Sequence, residues 1–460
     1  MYSFILKCVL LVFNMDRFII QGGKKLEGEV TVSGAKNIAL KALVAACLTE
    51  EDVTIQNVPL ISDFFVMVDL IKELGGKVTL SGHTATVSIG SLHNKTIPLE
   101  KAAEVRTSSM LMAPLLARSG KAVIPNPGGC RIGARPIDRT IEGLNSLGAN
   151  VLYNSEDGYF YANSSLQGPY LKGNTFRFDK NTHTGTETLI IASTLAKGTT
   201  VIENAAEEPE IDELIGLLTS MGAHIKRVEK RTIIIEGVQK LHGATFRISP
   251  DRNEVVTFAI AALITKGDIL VKEAQKESIE EFLEKLQSVG GGYEIKEKGI
   301  RFFPKTSLSA TDIVTTPYPG FMTDWQAPWA VLMTQAKGES IVHETVYESR
   351  FGYVRELLKM GAKIEFFDPE VSNPQEFYNF NISDDKEELR HAIKISGPTP
   401  LHNAVVSISD LRAGATLVLA SLAARGESVV FGVSHLDRGY ENFDKRLKNL
   451  GADIKRVYEE

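Results

Sequence analysis

The sequence predicts an α/β protein of two domains, each assembled from three copies of one module of about 70 residues. Three observations carry this. At 460 residues the chain exceeds what one hydrophobic core supports. A pattern of apolar residue, Gly, Gly or Ala, any residue, and apolar residue recurs six times. It appears as Leu74-Gly-Gly-Lys-Val78, Leu147-Gly-Ala-Asn-Val151, Met221-Gly-Ala-His-Ile225, Val289-Gly-Gly-Gly-Tyr293, Met360-Gly-Ala-Lys-Ile364 and Leu450-Gly-Ala-Asp-Ile454, with leading glycines 73, 74, 68, 71 and 90 residues apart. A second pattern keeps phase with the first: an Ala- and Leu-rich segment ends in a charged-Gly turn before a strand. Its copies are Ala117-Arg-Ser-Gly120, Ala196-Lys-Gly198, Thr265-Lys-Gly267, Ala336-Lys-Gly338 and Ala424-Arg-Gly426, with Thr49-Glu-Glu-Asp52 in the matching place of the first copy.

In chain order, residues 1–14 are apolar with one lysine, yet lack a small-residue cleavage site and are too short to span a bilayer. They read as a misplaced start or a disordered extension ahead of Met15-Asp16. The first module then shows the plan of the rest. A strand over Glu29–Val32 leads through Ser33-Gly-Ala-Lys-Asn37 into the apolar helix Ile38–Leu48. The β-branched Val53-Thr-Ile55 forms a strand, and a second helix over Asp63–Leu74 stops at Gly75, which caps it in the left-handed conformation. Strands over Lys77–Leu80 and Thr84–Ile89 close the unit. The last interval is longer by about twenty residues, all within the Pro-rich, polar stretch Phe366–Leu401, which reads as an elaborated surface loop with room for extra strands.

Composition excludes several function classes. The formal charge of -6 arises from many charges of both signs with no long basic run, so no nucleic-acid partner is expected. The cysteines, Cys8, Cys47 and Cys130, are spaced neither as a zinc knuckle nor as a disulfide framework, which fits a reducing cytoplasm. The nine histidines include no His-Glu-x-x-His, so neither a metal site nor a cofactor is expected. No membrane partner is expected either, and the chain is read as a monomer or weak homo-oligomer.

The chemistry concentrates in Pro127-Gly-Gly-Cys-Arg-Ile-Gly-Ala-Arg135. Glycines let this loop approach a ligand closely, and Arg131 and Arg135 flank its one thiol. Neighbouring cations favour a reactive thiolate, and Arg is the preferred partner of carboxylates and phosphates. The segment reads as a mobile loop that delivers an acid or nucleophile onto an anionic substrate, where Cys47, in Ala-Ala-Cys-Leu, reads as a small buried hydrophobe. Lys36 stands at a helix start, either as a phosphate ligand helped by backbone N–H groups and the helix dipole or as an exposed first-turn lysine. Arg106 lies among small polar residues in Glu104-Val-Arg-Thr-Ser-Ser109. Asp324, Arg350, Arg412 and Arg438 fall on strand-to-helix loops at equivalent points of different repeats; they are either solvated or salt-bridged singly, or together line an anionic cleft.

Read in order, Ser33-Gly-Ala-Lys-Asn37, Pro127-Gly-Gly-Cys130, Ile132-Gly-Ala-Arg-Pro-Ile-Asp138, Glu203-Asn-Ala-Ala206, Pro209-Glu-Ile211, Thr323-Asp324 and Asp437-Arg-Gly-Tyr440 resemble the UDP-N-acetylglucosamine 1-carboxyvinyltransferase family over residues 15–460. The resemblance implies a two-domain inside-out α/β barrel, three βαβαββ units per domain, with residues 15–35 joining 250–460 and residues 36–249 forming the other domain. It implies phosphoenolpyruvate and UDP-N-acetylglucosamine as substrates, with the site between the domains. Cys130 would protonate the methylene carbon of phosphoenolpyruvate and would be alkylated by the family's inhibitor fosfomycin. Lys36, Arg135 and Arg438 would hold the phosphate and carboxylate, and Arg412 would complete the anionic site. Asp324 would act on the sugar 3-hydroxyl as base or orienter. Asn37, Arg106, Arg135, Pro136, Ile137, Asp138, Arg139, Lys180, Thr182, His183, Val346 and Arg350 would contact the substrates. The sequence departs from the family at Asn181–Thr186, at Arg139, in the Phe366–Leu401 insertion and in the N-terminal extension. The shikimate-pathway enolpyruvyl transferase resembles the fold but lacks the cysteine loop; a catalytically silent paralogue that binds UDP-sugars is a further alternative.

Overall fold

A computed structural model describes residues 16–130, 132–166 and 170–458. The expectations for residues 1–14 and for Arg131 lie outside the described residues. Buried apolar side chains collect into two clusters, one from residues 35–248 and one joining 18–32 to 255–454. Each surrounds three helices that are apolar on nearly every side, a pattern that only full burial satisfies. They are Lys36–Ala46, Met112–Ser119 and His183–Ser193 in the first, and Arg252–Ile264, Thr323–Thr334 and Leu411–Ala423 in the second. A second helix of each unit, such as Ser62–Glu73 or Pro209–Ser220, is amphipathic and turns its apolar face inward.

Six small sheets lie around these helices among the described residues, five of four strands and one of three. The unit Thr175–Arg177, His183–Ser193, Thr199–Glu203, Pro209–Ser220, His224–Glu229, Thr232–Glu236 shows the βαβαββ order plainly. Its short first strand pairs parallel with Thr199–Glu203, and the closing hairpin adds antiparallel on the other side. Helices inside and sheets outside are the inside-out arrangement that the resemblance implies. The six repeated glycines share one conformation: Gly75, Gly148, Gly222, Gly290, Gly361 and Gly451 have φ between 86° and 98°. A side chain is strained there, which is why the pattern survives at the end of each amphipathic helix.

The chain start completes its own last unit. Strand Arg17–Gln21 lies between Glu427–Phe431 and Asp453–Val457, antiparallel to both. Strand Glu27–Thr31 then pairs parallel with Asp268–Lys272, and Thr245–Arg247 pairs parallel with Val53–Gln56. The backbone therefore crosses between the two cores twice, near residues 32–35 and 248–251. The crossings run side by side, with a bridge of Gly34 to Pro250, Ala35 N–H donating to Ser249 O (2.8 Å) and Asp251 N–H donating to Ser33 O (2.8 Å). Among the described residues no helix is long and apolar enough to cross a membrane.

The Phe366–Leu401 stretch differs from a plain surface loop. Its ends belong to the unit's own sheet, as strands Lys363–Phe367 and Ala392–Gly397. The chain between them forms one helical turn at Pro374–Phe377 and a 3-10 turn at Ile382–Asp384. Tyr378 and Phe380 are each only 6% exposed, because aromatic surface leaves water wherever packing partners exist.

Candidate active site

The sequence places charged residues at two kinds of chain turn, and both kinds face one cleft of about 300 Å³ between the two cores. Lys36, Arg106, His183, Asp324 and Arg412 stand in the first turn of inner helices or the short turns that begin them. Cys130, Val346, Arg350 and Arg438 stand on loops or short turns that lead into the outer helices. Asp324 and Arg412 thus occupy a different kind of position from Arg350 and Arg438, although all four are expected at equivalent loops.

At one end lies the thiol. Gly128 and Gly129 donate their N–H groups to Ala102 O and Ala103 O, each at 3.3 Å. A Cβ on Gly128 would sit 1.7 Å from Ala103 O, so only glycine lets the loop turn here. Beyond Cys130 the loop reaches the second core: Ser349 N–H donates to Ile132 O (3.3 Å), Ala134 N–H donates to Glu348 Oε1, and a Cβ on Gly133 would meet the Glu348 carboxylate. Cys130 packs against the second core, its Sγ 3.7 Å from Arg438 Nη1. Arg438 grips Asp63 with Nε at 2.8 Å and Nη2 at 3.3 Å, and Asp63 also receives Lys36 Nζ at 2.7 Å. Burial lowers the Lys36 ammonium from its ordinary value despite the opposing pull of Asp63. The Lys36 backbone N–H donates to Asp251 Oδ2 at 3.1 Å. That helix end is already capped by a carboxylate from the other core, so the ammonium, not the helix dipole, is what faces an anion.

At the other end Asp324 is clamped by two arginines, Arg350 Nη2 on Oδ1 at 2.6 Å and Arg412 Nη2 on Oδ2 at 3.1 Å. Burial alone would raise its carboxyl, but Arg412 and Arg350 outweigh that and hold it well below the usual carboxylate range. Arg412 also donates to Tyr440 OH (3.2 Å), which is bonded to Thr257 Oγ1 (2.8 Å). Asp410 caps the helix that carries Arg412 and lies 3.9 Å from Arg350.

Between the two ends, Arg106 and Arg135 form no ion pair among the described residues. Burial, with the Arg135 guanidinium beside it, lowers Arg106 to about 10. Arg135 takes a left-handed φ of 49° and lies over the Tyr347 ring at 5.4 Å. Buried guanidiniums without carboxylates mark a place where an anion from solution fits. Asn37, Pro136, Ile137, Arg139, Thr182, His183 and Val346 also line the cleft. Asp138 and Lys180 do not: Asp138 is exposed at its helix start, and Lys180 Nζ donates to Tyr378 O (2.8 Å) and Phe380 O (2.9 Å).

Several groups of this site have no sequence signal of their own. Asp63 meets Arg438 across 375 residues of chain, and Glu348 meets Ala134 across 214. Glu187, fully buried, takes Lys41 Nζ at 3.3 Å and His183 Nε2 at 3.1 Å; burial opposes protonation of that imidazole, yet Glu187 and Glu208 leave its pKa raised. Asp410 alone was legible, as an N-cap acid before Leu411-Arg412.

Known proteins share this arrangement. The family model of EPSP synthase (3-phosphoshikimate 1-carboxyvinyltransferase) matches residues 20–447. A protein of Koribacter versatilis named UDP-N-acetylglucosamine 1-carboxyvinyltransferase is 43% identical over 451 residues, covering 97% of each chain. One of the same name from Desulfosudis oleivorans is 41% identical, covering 96% of this chain and 100% of its own. Among solved structures, the enolpyruvyl transferase NikO from Streptomyces tendae superposes with a TM-score of 0.82 at 22% identity, covering 96% of this chain and 99% of its own. EPSP synthase from Acinetobacter baumannii gives 0.71 at 17%, covering 96% and 100%. With relatives above 40% identical along almost its whole length, and with its six-unit fold shared by NikO and EPSP synthase, the chain belongs to the EPSP synthase family and, within it, groups with the UDP-N-acetylglucosamine 1-carboxyvinyltransferases.

Proposed function

We propose that this protein moves the enolpyruvyl group of phosphoenolpyruvate onto the 3-hydroxyl of UDP-N-acetylglucosamine and releases phosphate, in the cytoplasm, at the first committed step of peptidoglycan synthesis. The observation that carries the reading is the seat of Cys130: a thiol from one core, 3.7 Å from Arg438 of the other, beside Lys36 and two unpaired arginines. A carbon acid–base reaction on a trianion needs that combination of a proton donor and surplus cations.

In the first step the Cys130 S–H gives its proton to C3 of phosphoenolpyruvate while the sugar oxygen bonds to C2, and the hydroxyl proton leaves toward Asp324. In the second step a C3 proton is removed, the C2–O bond to phosphate breaks and inorganic phosphate departs with that electron pair. Lys36, Arg135, Arg438 and Arg412 hold the phosphate and carboxylate through both steps. A carboxylate as tightly held as Asp324 is a weak base, so its main task is to orient the hydroxyl. Asn37, Arg106, the Arg135–Arg139 segment, Thr182, His183 and Val346 hold the UDP-sugar. Residues 15–35 with 250–460 and residues 36–249 act as two bodies that close around the substrates and exclude water from the tetrahedral intermediate. What supports closure is the double crossover and the Cys130 loop bonded to Glu348 and Ser349.

Phosphate release from phosphoenolpyruvate tests this directly. Release is expected with UDP-N-acetylglucosamine and not with shikimate 3-phosphate or with no acceptor. Release with shikimate 3-phosphate, or none with any acceptor, overturns the reading.

A further inference from the structure

The insertion between strands Lys363–Phe367 and Ala392–Gly397 is built as a strap that ties one core to the other. It is stiffened by its own aromatic residues: Tyr378 and Phe380 stack with centroids 4.8 Å apart, and His391 packs on both at 5.0 and 5.1 Å. His391 Nε2 is 2.9 Å from Asp385 Oδ2, and Tyr378 OH is 3.1 Å from His343 Nε2. From this knot the chain reaches across the cleft. Lys180 Nζ donates to Tyr378 O and Phe380 O, Asn379 Nδ2 donates to Asn181 O (3.1 Å), and an Arg139 Nη2 proton goes to Asn381 Oδ1. Asn379, Phe380, Asn381 and Asp384 form part of the cleft wall.

Three places where the sequence departs from the family's usual pattern therefore meet in space: Arg139, the Asn181 segment and the insertion. They are far apart in sequence and bonded to one another in the structure. Changes that come together across a cleft wall point to a shared task, because each alone would leave a buried guanidinium, ammonium or carbonyl without its partner. We propose that the strap over residues 373–391 is a specificity-determining wall for the nucleotide-sugar end of the cleft, resting on the function proposed above. Arg139 and Lys180 are positioning residues in this scheme. They hold Asn379–Asn381 in place, and the nucleotide meets a wall that exists only when the two cores are together. The donor end, where Cys130, Lys36 and Arg438 lie, takes no strap residue within hydrogen-bonding distance among the described contacts.

The test separates the two substrates. A double variant, Asn379→Ala with Asn381→Ala, is expected to raise KM for UDP-N-acetylglucosamine about tenfold, the effect of losing hydrogen bonds to charged groups, while KM for phosphoenolpyruvate stays within about twofold. Equal rises in both constants, or no rise in either, overturn the proposal, and so does a lowered melting temperature with both constants unchanged. Hydrogen exchange in the unliganded protein gives an arm that does not depend on turnover: Lys180→Met should speed exchange of the amides over 378–381, and unchanged exchange overturns the strap's anchoring. Failure of the unaltered protein to use UDP-N-acetylglucosamine would count against the proposed reaction, with the exchange result still deciding the strap.

Discussion

The two ends of the cleft use the same residue types to opposite effect. At the thiol end Lys36 and Arg438 share a single carboxylate, Asp63, and Arg106 and Arg135 nearby have none among the described residues. At the acid end Arg350 and Arg412 face two carboxylates, Asp324 and Asp410, and Asp324 is gripped by both arginines. One end is left short of negative charge; the other is neutralised. An anionic substrate is drawn to the first, and the second supplies an oriented, permanently ionised oxygen. The lesson is that counting arginines says little about binding until their partners are known.

The largest expected effect breaks the thiol end. Cys130→Ala should lower turnover by about a thousandfold, the scale of a lost general acid, and leave the fold intact. Cys130→Asp should keep turnover and lose inactivation by fosfomycin, since a carboxylic acid donates a proton but alkylates poorly. Normal turnover in the alanine variant, or drug inactivation of the aspartate variant, would remove Cys130 from its role.

The next effect strikes the acid end. Asp324→Asn leaves Arg350 and Arg412 buried with less compensating charge and should destabilise the fold by about 3 kcal/mol as well as slow turnover. The Asp324 carboxyl is held below its usual range in the folded state. Its contribution is therefore fully present above the unfolded value of about 4 and is lost as pH falls through the folded one. The stability gap between the two proteins should stay constant from about pH 5 to 8 and narrow only in stronger acid. A gap that narrows between about pH 7 and 5 would show that the arginine clamp is absent in solution.

The smallest effect sharpens the contrast. Tyr440→Phe removes the hydroxyl that steadies Arg412 and should reduce kcat about fivefold, with KM for phosphoenolpyruvate little changed. An unchanged kcat would mean that Asp324 and Asp410 alone hold that arginine.

Much of this was legible beforehand, and the residues show why. Gly75 and its five counterparts could be read because a left-handed helix end is a local demand that only glycine meets cheaply. Cys47 was read as a buried hydrophobe from its apolar neighbours; it is buried, its Sγ lies 3.3 Å from Leu43 O, and burial pushes its thiol up to about 12. Cys130 stood out because glycines, arginines and one thiol in nine residues have no structural explanation as a helix or strand. Lys36 was read correctly as a residue at a helix start, but the Asp251 cap on that helix comes from 215 residues away. The insertion read as loop because prolines and polar residues mark turns, and nothing local says that Tyr378 and Phe380 will find a core to pack against.

By itself, then, the sequence determined the repeating unit, the ends of its helices and the reactive loop, because each is settled by backbone conformation and neighbours within a few residues. Tertiary structure alone decided which charges meet: Asp63 with Arg438, Glu348 with the Cys130 loop, Asn381 with Arg139. Those contacts join groups more than two hundred residues apart. Their strength depends on burial and distance, which arise only when the two cores come together.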